Sequence, residues 1–225
     1  MAQAFTSASA PALEYLTIKD LYPEDERRVV RFPRLPRLKG VTLIEYSYGF
    51  RQPIFHDDDI AKAEKLTFIA EVWVDHGLNF IRRFRNIRTL VLKDPNTLHW
   101  FMGTPSGPIS PVELPLLETL ALSGMIPHQV LNLIRAPGLR KMEIKADVAR
   151  GHHSLTAIKL VHLVRTVECL YVSLNEGEYA TGWVGELGRL LAEAPVLVSV
   201  CVSPWMVQHM KEEEWFTGLR VTYSI

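Results

Sequence analysis

The chain has little cysteine, no net charge and no long apolar run, and each shortage removes a class of function. Two cysteines in 225 residues, Cys169 and Cys201, are too few for a disulfide framework or a zinc site of their own. Basic and acidic residues number 25 each, so the global electrostatic pull of a nucleic-acid or anionic-membrane binder is missing. No stretch reaches the roughly 18 apolar residues of a membrane span. The opening MAQAFTSASAP has neither the basic start nor the apolar run of about 7 to 15 residues of a secretory signal. A cytoplasmic or nuclear location is the resulting expectation, with 1–11 as a flexible Ala/Ser-rich lead and 12–225 as a single domain.

Catalytic signatures are scarce as well. There is no G-x-S-x-G elbow and no phosphate loop, and GWVGELG (182–188) lacks the first glycine pair and the preceding strand of a dinucleotide fingerprint. Its glycines read as helix packing. The histidines show no metal-ligand spacing: His152 and His153 are adjacent, and His56 beside Asp57, Asp58 and Asp59 reads as a solvated acidic loop. The expectation is a chain without metal, cofactor or catalysis.

What is present is a repeat. LEYLTI, LKGVTL, AEKLTF, IRTLVL, LETLAL, LRKMEI, VECLYV, LVSVCV and, less cleanly, LRVTYSI begin at Leu13, Leu38, Ala63, Ile87, Leu117, Leu139, Val167, Leu197 and Leu219. The steps run from 22 to 30 residues. A unit of that length cannot bury its own apolar side and must stack on its neighbours. Positions one, four and six of each stretch point inward, and three, five and seven alternate outward. Between the strands, 127–136, 154–166 and 183–194 read as helices, with Ser154 as an N-cap. Prolines in FPRLPRL, ELPLL, RAPGL and EAPVL stop the helix and lead into the next extended segment. Strand, helix and proline-marked turn, repeated with right-handed crossovers, give a parallel α/β sheet whose sequential strands are spatial neighbours.

A column not used to find the repeat supports its register. Position two reads Glu14, Lys39, Glu64, Arg88, Glu118, Arg140, Glu168, Val198, Arg220, alternating in sign through its first seven members. On parallel strands about 4.8 Å apart these residues face one another. By the same register Cys169 and Cys201 stand two positions apart on neighbouring strands, roughly 8 Å between α-carbons, too far for a disulfide.

The spacing resembles that of leucine-rich repeats, and the tract LETLALSGMIPHQVLNLIRAPGLRKMEI (117–144) resembles the divergent repeats that follow the F-box in fungal F-box-type proteins. The resemblance implies an open solenoid, or horseshoe, of about nine parallel strands on the concave side, with helices and irregular crossovers on the convex side. It also implies protein–protein recognition, as in the substrate capture of ubiquitin-ligase receptors. The chain departs from the pattern in two ways. The asparagine or cysteine of the repeat appears once, as Asn175, and the first strand begins by Leu13 with no F-box ahead of it. A ubiquitin-ligase adaptor is therefore a partner only through an F-box supplied elsewhere.

Recognition by a solenoid uses the outward strand columns. The candidate partner-binding residues there are Tyr15, Lys65, Thr67, Lys93, Thr119, Lys141, Glu143, Lys145, Tyr171 and Ser173. A rim of aromatics after the strands adds Tyr46, Tyr48, Trp73 and Trp100 as interface anchors. Charge separates between the two edges: acids follow the strands, Asp57, Asp58 and Asp59 among them, and arginines such as Arg34, Arg82 and Arg83 precede them. The arginine edge reads either as a docking surface for acidic groups or as the basic end of returning helices.

Two alternatives complete the expectations. About eight such units also close a (β/α)₈ barrel, in which Asp20, Glu45, Asp94 and Asp147 at strand ends would serve a hydrolase or lyase. Against it, barrel strands read as continuous apolar runs, whereas lysine, glutamate and threonine fill the outward columns here. Neither end of the array shows a polar cap, so a longer repeat protein, or self-association through the ends, is also expected.

Overall fold

The structure, a computed structural model, describes residues 10–19, 31–45, 54–70, 74–93, 110–124, 128–146, 157–174, 180–210 and 221–223. The strands are β1 (Tyr15–Lys19), β2 (Gly40–Glu45), β3 (Lys65–Ala70), β4 (Thr89–Lys93), β5 (Val112–Glu113), β6 (Thr119–Ser123), β7 (Ile134–Arg135), β8 (Lys141–Ala146), β9 (Cys169–Leu174), β10 (Ser199–Val202) and β11 (Val221–Tyr223). Helices α1 (Asp57–Ile60), α2 (Val74–Ile81), α3 (His128–Leu133), α4 (Ala157–Val164), α5 (Ala180–Ala192) and α6 (Pro204–Met210) lie between them.

Nine strands form one parallel sheet in the order β1-β2-β3-β4-β6-β8-β9-β10-β11, so chain order and spatial order coincide. β1 and β11 end the row. Among the described residues no pairing joins them, as barrel closure requires.

The strands align column by column. Tyr15, Gly40, Lys65, Thr89, Thr119, Lys141, Cys169 and Ser199 are successive register partners, which is the outward third column of the sequence pattern. The second column forms the hinge line between turn and strand. Its carbonyls accept from two amides of the next rung: Glu14 O takes the N–H groups of Lys39 (2.7 Å) and Gly40 (3.0 Å), and Glu168 O takes those of Val198 (2.8 Å) and Ser199 (3.0 Å). The side chains of this column close ion pairs between Glu14 and Lys39 (2.9 Å) and between Arg88 and Glu118. Exposed as they are, such pairs fix register more than they add stability.

The last unit departs from the sequence register by one residue. Val200 pairs with Val221 and Val202 with Tyr223, so Val221 stands in the fourth column and Tyr223 in the sixth. A repeat starting at Leu219 puts Thr222 in the fourth column, one residue beyond the observed Val221.

Burial is one-sided. Val41 and Leu43, Leu66 and Phe68, Leu90 and Leu92, Leu120 and Leu122, Met142 and Ile144, Leu170 and Val172, Val200 and Val202 are all buried, whereas their odd-column neighbours are mostly half-buried or exposed. On the core side, the helices pack in chain order, α2 on α3, α3 on α4, α4 on α5 and α5 on α6. The early crossovers have little helix and fill their space with aromatic rings. Phe32 stacks on Phe55 at 4.8 Å, and Phe80 contacts both Phe68 (6.0 Å) and Phe84 (5.2 Å).

A tight turn feeds seven strands of the large sheet. The amides of Leu13, Leu38, Ala63, Leu117, Leu139, Val167 and Leu197 donate to the carbonyls three residues earlier, at Ala10, Leu35, Ile60, Leu114, Ala136, Val164 and Ala194, over 3.0–3.2 Å. Pro11, Pro36, Pro115, Pro137 and Pro195 occupy the second position of such turns, where a fixed φ near −65° is favoured. The prolines are thus turn formers before β1, β2, β6, β8 and β10, and the first turn begins inside the Ala/Ser-rich lead, with Ala10 packed against the core.

Helix extents differ from the periodic signal. α3 stops at Leu133 because Ile134 and Arg135 form β7 and pair with β5 in a second, two-stranded parallel sheet. α5 starts at Ala180, three residues ahead of the apolar pattern, and α4 spans 157–164 within the expected 154–166, with Ser154 outside the described residues.

Candidate functional site

The face opposite the helices carries the odd columns. In its eight rungs from β1 to β10, columns three, five and seven hold five lysines, Lys19, Lys65, Lys93, Lys141 and Lys145, against one carboxylate, Glu143. A chain neutral overall therefore presents a basic sheet face.

Tyr15, 63% exposed, lies over Gly40, where an added Cβ would stand 2.9 Å from the ring. Lys65 and Lys93 are exposed; Thr67 and Thr119 are half-buried. The densest group is on β8 and β9. Lys141 Nζ reaches Glu143 Oε1 at 2.7 Å and sits 4.6 Å from the centre of the Tyr171 ring. The hydrogen bond that Lys141 donates to Glu143, opposed by partial desolvation, holds the Lys141 ammonium above the ordinary lysine range. Glu143 is thereby matched within its own strand, and the ring adds a cation–π contact.

Beside this group, at the C-terminal ends of β8, β9 and β10, a cavity of about 330 Å³ is lined by Glu143, Lys145, Tyr171, Ser173, Cys201 and Ser203, with Pro204 at the start of α6. It gathers Glu143, Lys145, Tyr171 and Ser173 from the expected site. Cys201 and Ser203 join them; both follow from columns five and seven of the eighth rung, but nothing in their residue types marks them out. Tyr15, Lys65, Thr67, Lys93 and Thr119 stand apart from the cavity along the same face. The rim aromatics Tyr46, Tyr48, Trp73 and Trp100 lie outside the described residues, as do Asp20, Asp94 and Asp147. Glu45 ends β2 opposite Ala70.

The edge leading into the strands is partly self-neutralised. Asp57, Asp58 and Asp59 are not on the edge that follows the strands, as their place in the charge pattern implied, but in α1, on the approach to β3. There, Arg34 Nε lies 3.2 Å from Asp59 Oδ2, and Arg83 donates to Asp57 Oδ1 at 3.0 Å. Asp59, 1% exposed, also accepts the Leu35 N–H at 2.7 Å. Helices α3, α4, α5 and α6 have no acidic residue in the first turn, so the dipole explanation for the edges does not extend to them. Arg82 reaches Asn79 and the Ser110 carbonyl, and Arg135 the Asn132 carbonyl.

A wider groove of about 660 Å³ runs past Glu113, Asn132, Arg135, Pro137, His162 and Thr166. His162 Nε2 sits 3.0 Å from Leu131 O and 3.3 Å from Ile134 O. Burial lowers its pKa, which favours a neutral ring whose Nε2–H donates to these carbonyls at the end of α3. His162 clips two elements together and is thereby engaged.

Among the described residues no three His, Cys, Asp or Glu side chains converge as a metal site, and no helix is long and apolar enough to cross a membrane. Cys169 and Cys201 are free thiols, on β9 and β10 as their columns required. No protein family, no curated protein and no solved structure matches this chain.

Proposed function

We propose that the chain is a leucine-rich-repeat-like open solenoid that recognises a protein partner on its exposed sheet face and performs no chemistry of its own. Its implied task, following the resemblance to F-box-type repeats, is substrate capture for ubiquitin transfer carried out by another component. The observation that carries this reading is the division of the sheet. One face is sealed by apolar columns and helices, while the other leaves polar and charged columns open across eight rungs, with a cavity at one end. Solenoids use such faces for extended binding.

The test is affinity purification with mass spectrometry, using wild-type bait and a bait carrying Lys93→Glu, Lys141→Glu and Lys145→Glu. These side chains lie on the open face, so the variant should keep its circular dichroism and lose the partners that the wild type enriches. Unchanged partner profiles from a folded variant would refute the surface. Recovery of a ligase adaptor with the wild type would separate an F-box-type role from a general scaffold.

A further inference from the structure

We infer that the cavity at the C-terminal ends of β8–β10 is an anion-accepting subsite for a carboxylate side chain of an extended acidic protein segment. The inference rests on the recognition role proposed above and specifies its partner chemistry. Two charged side chains line the cavity, and they differ in availability. Glu143 is occupied by Lys141 at 2.7 Å, and Lys141 in turn by Glu143 and the Tyr171 ring. Lys145, exposed at the cavity wall, has no carboxylate partner among the described residues. Its register partner is Ser173, one strand spacing away, so an ammonium and a hydroxyl stand side by side at the cavity. An ammonium and a hydroxyl both donate, and a carboxylate accepts from both.

The surroundings set the size and direction of the occupant. About 330 Å³ is at the lower end of ligand pockets and suits a side chain with its flanking backbone. The Tyr171 ring supplies a flat apolar wall for the methylene stem. Along column seven, Ser123 separates Lys145 from Lys93, which places the next cation of that column two strands away. Lys65 lies one strand beyond, in column three. A segment anchored by one carboxylate in the cavity and running toward β3 meets lysines along its path, so an acidic segment is favoured over a basic or apolar one.

Fluorescence anisotropy with a labelled hexaglutamate peptide on the full chain, at low and moderate salt, tests this directly. Lys145→Ala and Ser173→Ala should each weaken binding, Lys145→Ala by roughly fivefold or more. Lys62→Ala removes the same charge from a turn off the open face, and should change affinity by less than about twofold. A hexalysine peptide should not bind. Equal losses for Lys145→Ala and Lys62→Ala, or no loss from Lys145→Ala, would overturn the subsite. A phosphoserine peptide that binds while hexaglutamate does not would overturn the carboxylate assignment. If hexaglutamate fails to compete with a partner that the triple-glutamate bait loses, the partner chemistry is wrong and the recognition face stands. If the triple-glutamate bait loses nothing, the recognition face itself is wrong.

Discussion

Asp59 shows how one residue can anchor a turn and why its type matters. Its Oδ2 accepts the Leu35 amide and the Arg34 guanidinium, while Oδ1 is buried without a hydrogen-bond partner. Asp59→Ala leaves the Leu35 N–H without its acceptor and removes the counter-charge of Arg34. A loss of about 2–3 kcal/mol in urea denaturation is expected. Asp59→Asn keeps an acceptor and should cost about half as much. The sequence placed Asp59 in a solvated acidic loop because three consecutive aspartates look exposed in any composition-based reading. Its burial depends on Leu35, 24 positions away, which no local pattern records. Lys141, Glu143 and Tyr171 were legible for the opposite reason: all three occupy outward columns, and the column period follows from strand geometry alone. The cavity beside them depends on where α6 begins after β10, a detail of chain direction that periodicity does not carry.

At the scale of the element, the strands were legible almost residue by residue and the connections much less so. The strand columns repeat eight times with the same polarity, and an error of register would turn a whole apolar set outward. At β11 only two apolar residues define the register, and there the pattern slipped by one. The crossovers have no such redundancy; Ile134 and Arg135 continued a helical pattern, yet pair with β5 instead. Glycines separate the two kinds of constraint. Gly185 in α5 has open space where a Cβ would stand, so it is not a packing glycine, and Gly185→Ala should raise stability by about 0.5–1 kcal/mol through helix propensity. Gly138 lies in the turn before β8, where a Cβ would come within 3.0 Å of the Pro115 carbonyl in the preceding rung. Gly138→Ala should lower the melting temperature, because a backbone atom cannot swing aside. Thermal unfolding of the two variants distinguishes them by sign. His162 adds a pH dependence at the end of α3. Its folded pKa lies below the unfolded value near 6.5, so its contribution is complete above that pH and is lost as the pH falls through 6.5 toward the folded pKa. The wild type should therefore lose more thermal stability between pH 7 and pH 5 than His162→Gln does.

Over the whole molecule, one alternation organises both stability and function. Columns four and six hold the core, and columns three, five and seven form the face on which recognition is proposed. The two native cysteines sit on that face, Cys169 in column three and Cys201 in column five, while Val200, 1% exposed, precedes Cys201 on the same strand. Thiol titration of the native protein with a small aromatic disulfide tests the alternation at its simplest. Cys169 and Cys201 should both react without denaturant. In a Cys169→Ser, Cys201→Ser background, Val200→Cys should stay unreactive until the chain unfolds, at least about 100-fold slower than Cys201, because labelling then requires opening of the core. A Val200→Cys thiol that reacts as fast as Cys201 in the folded protein would contradict the one-sided sheet, and with it the open face.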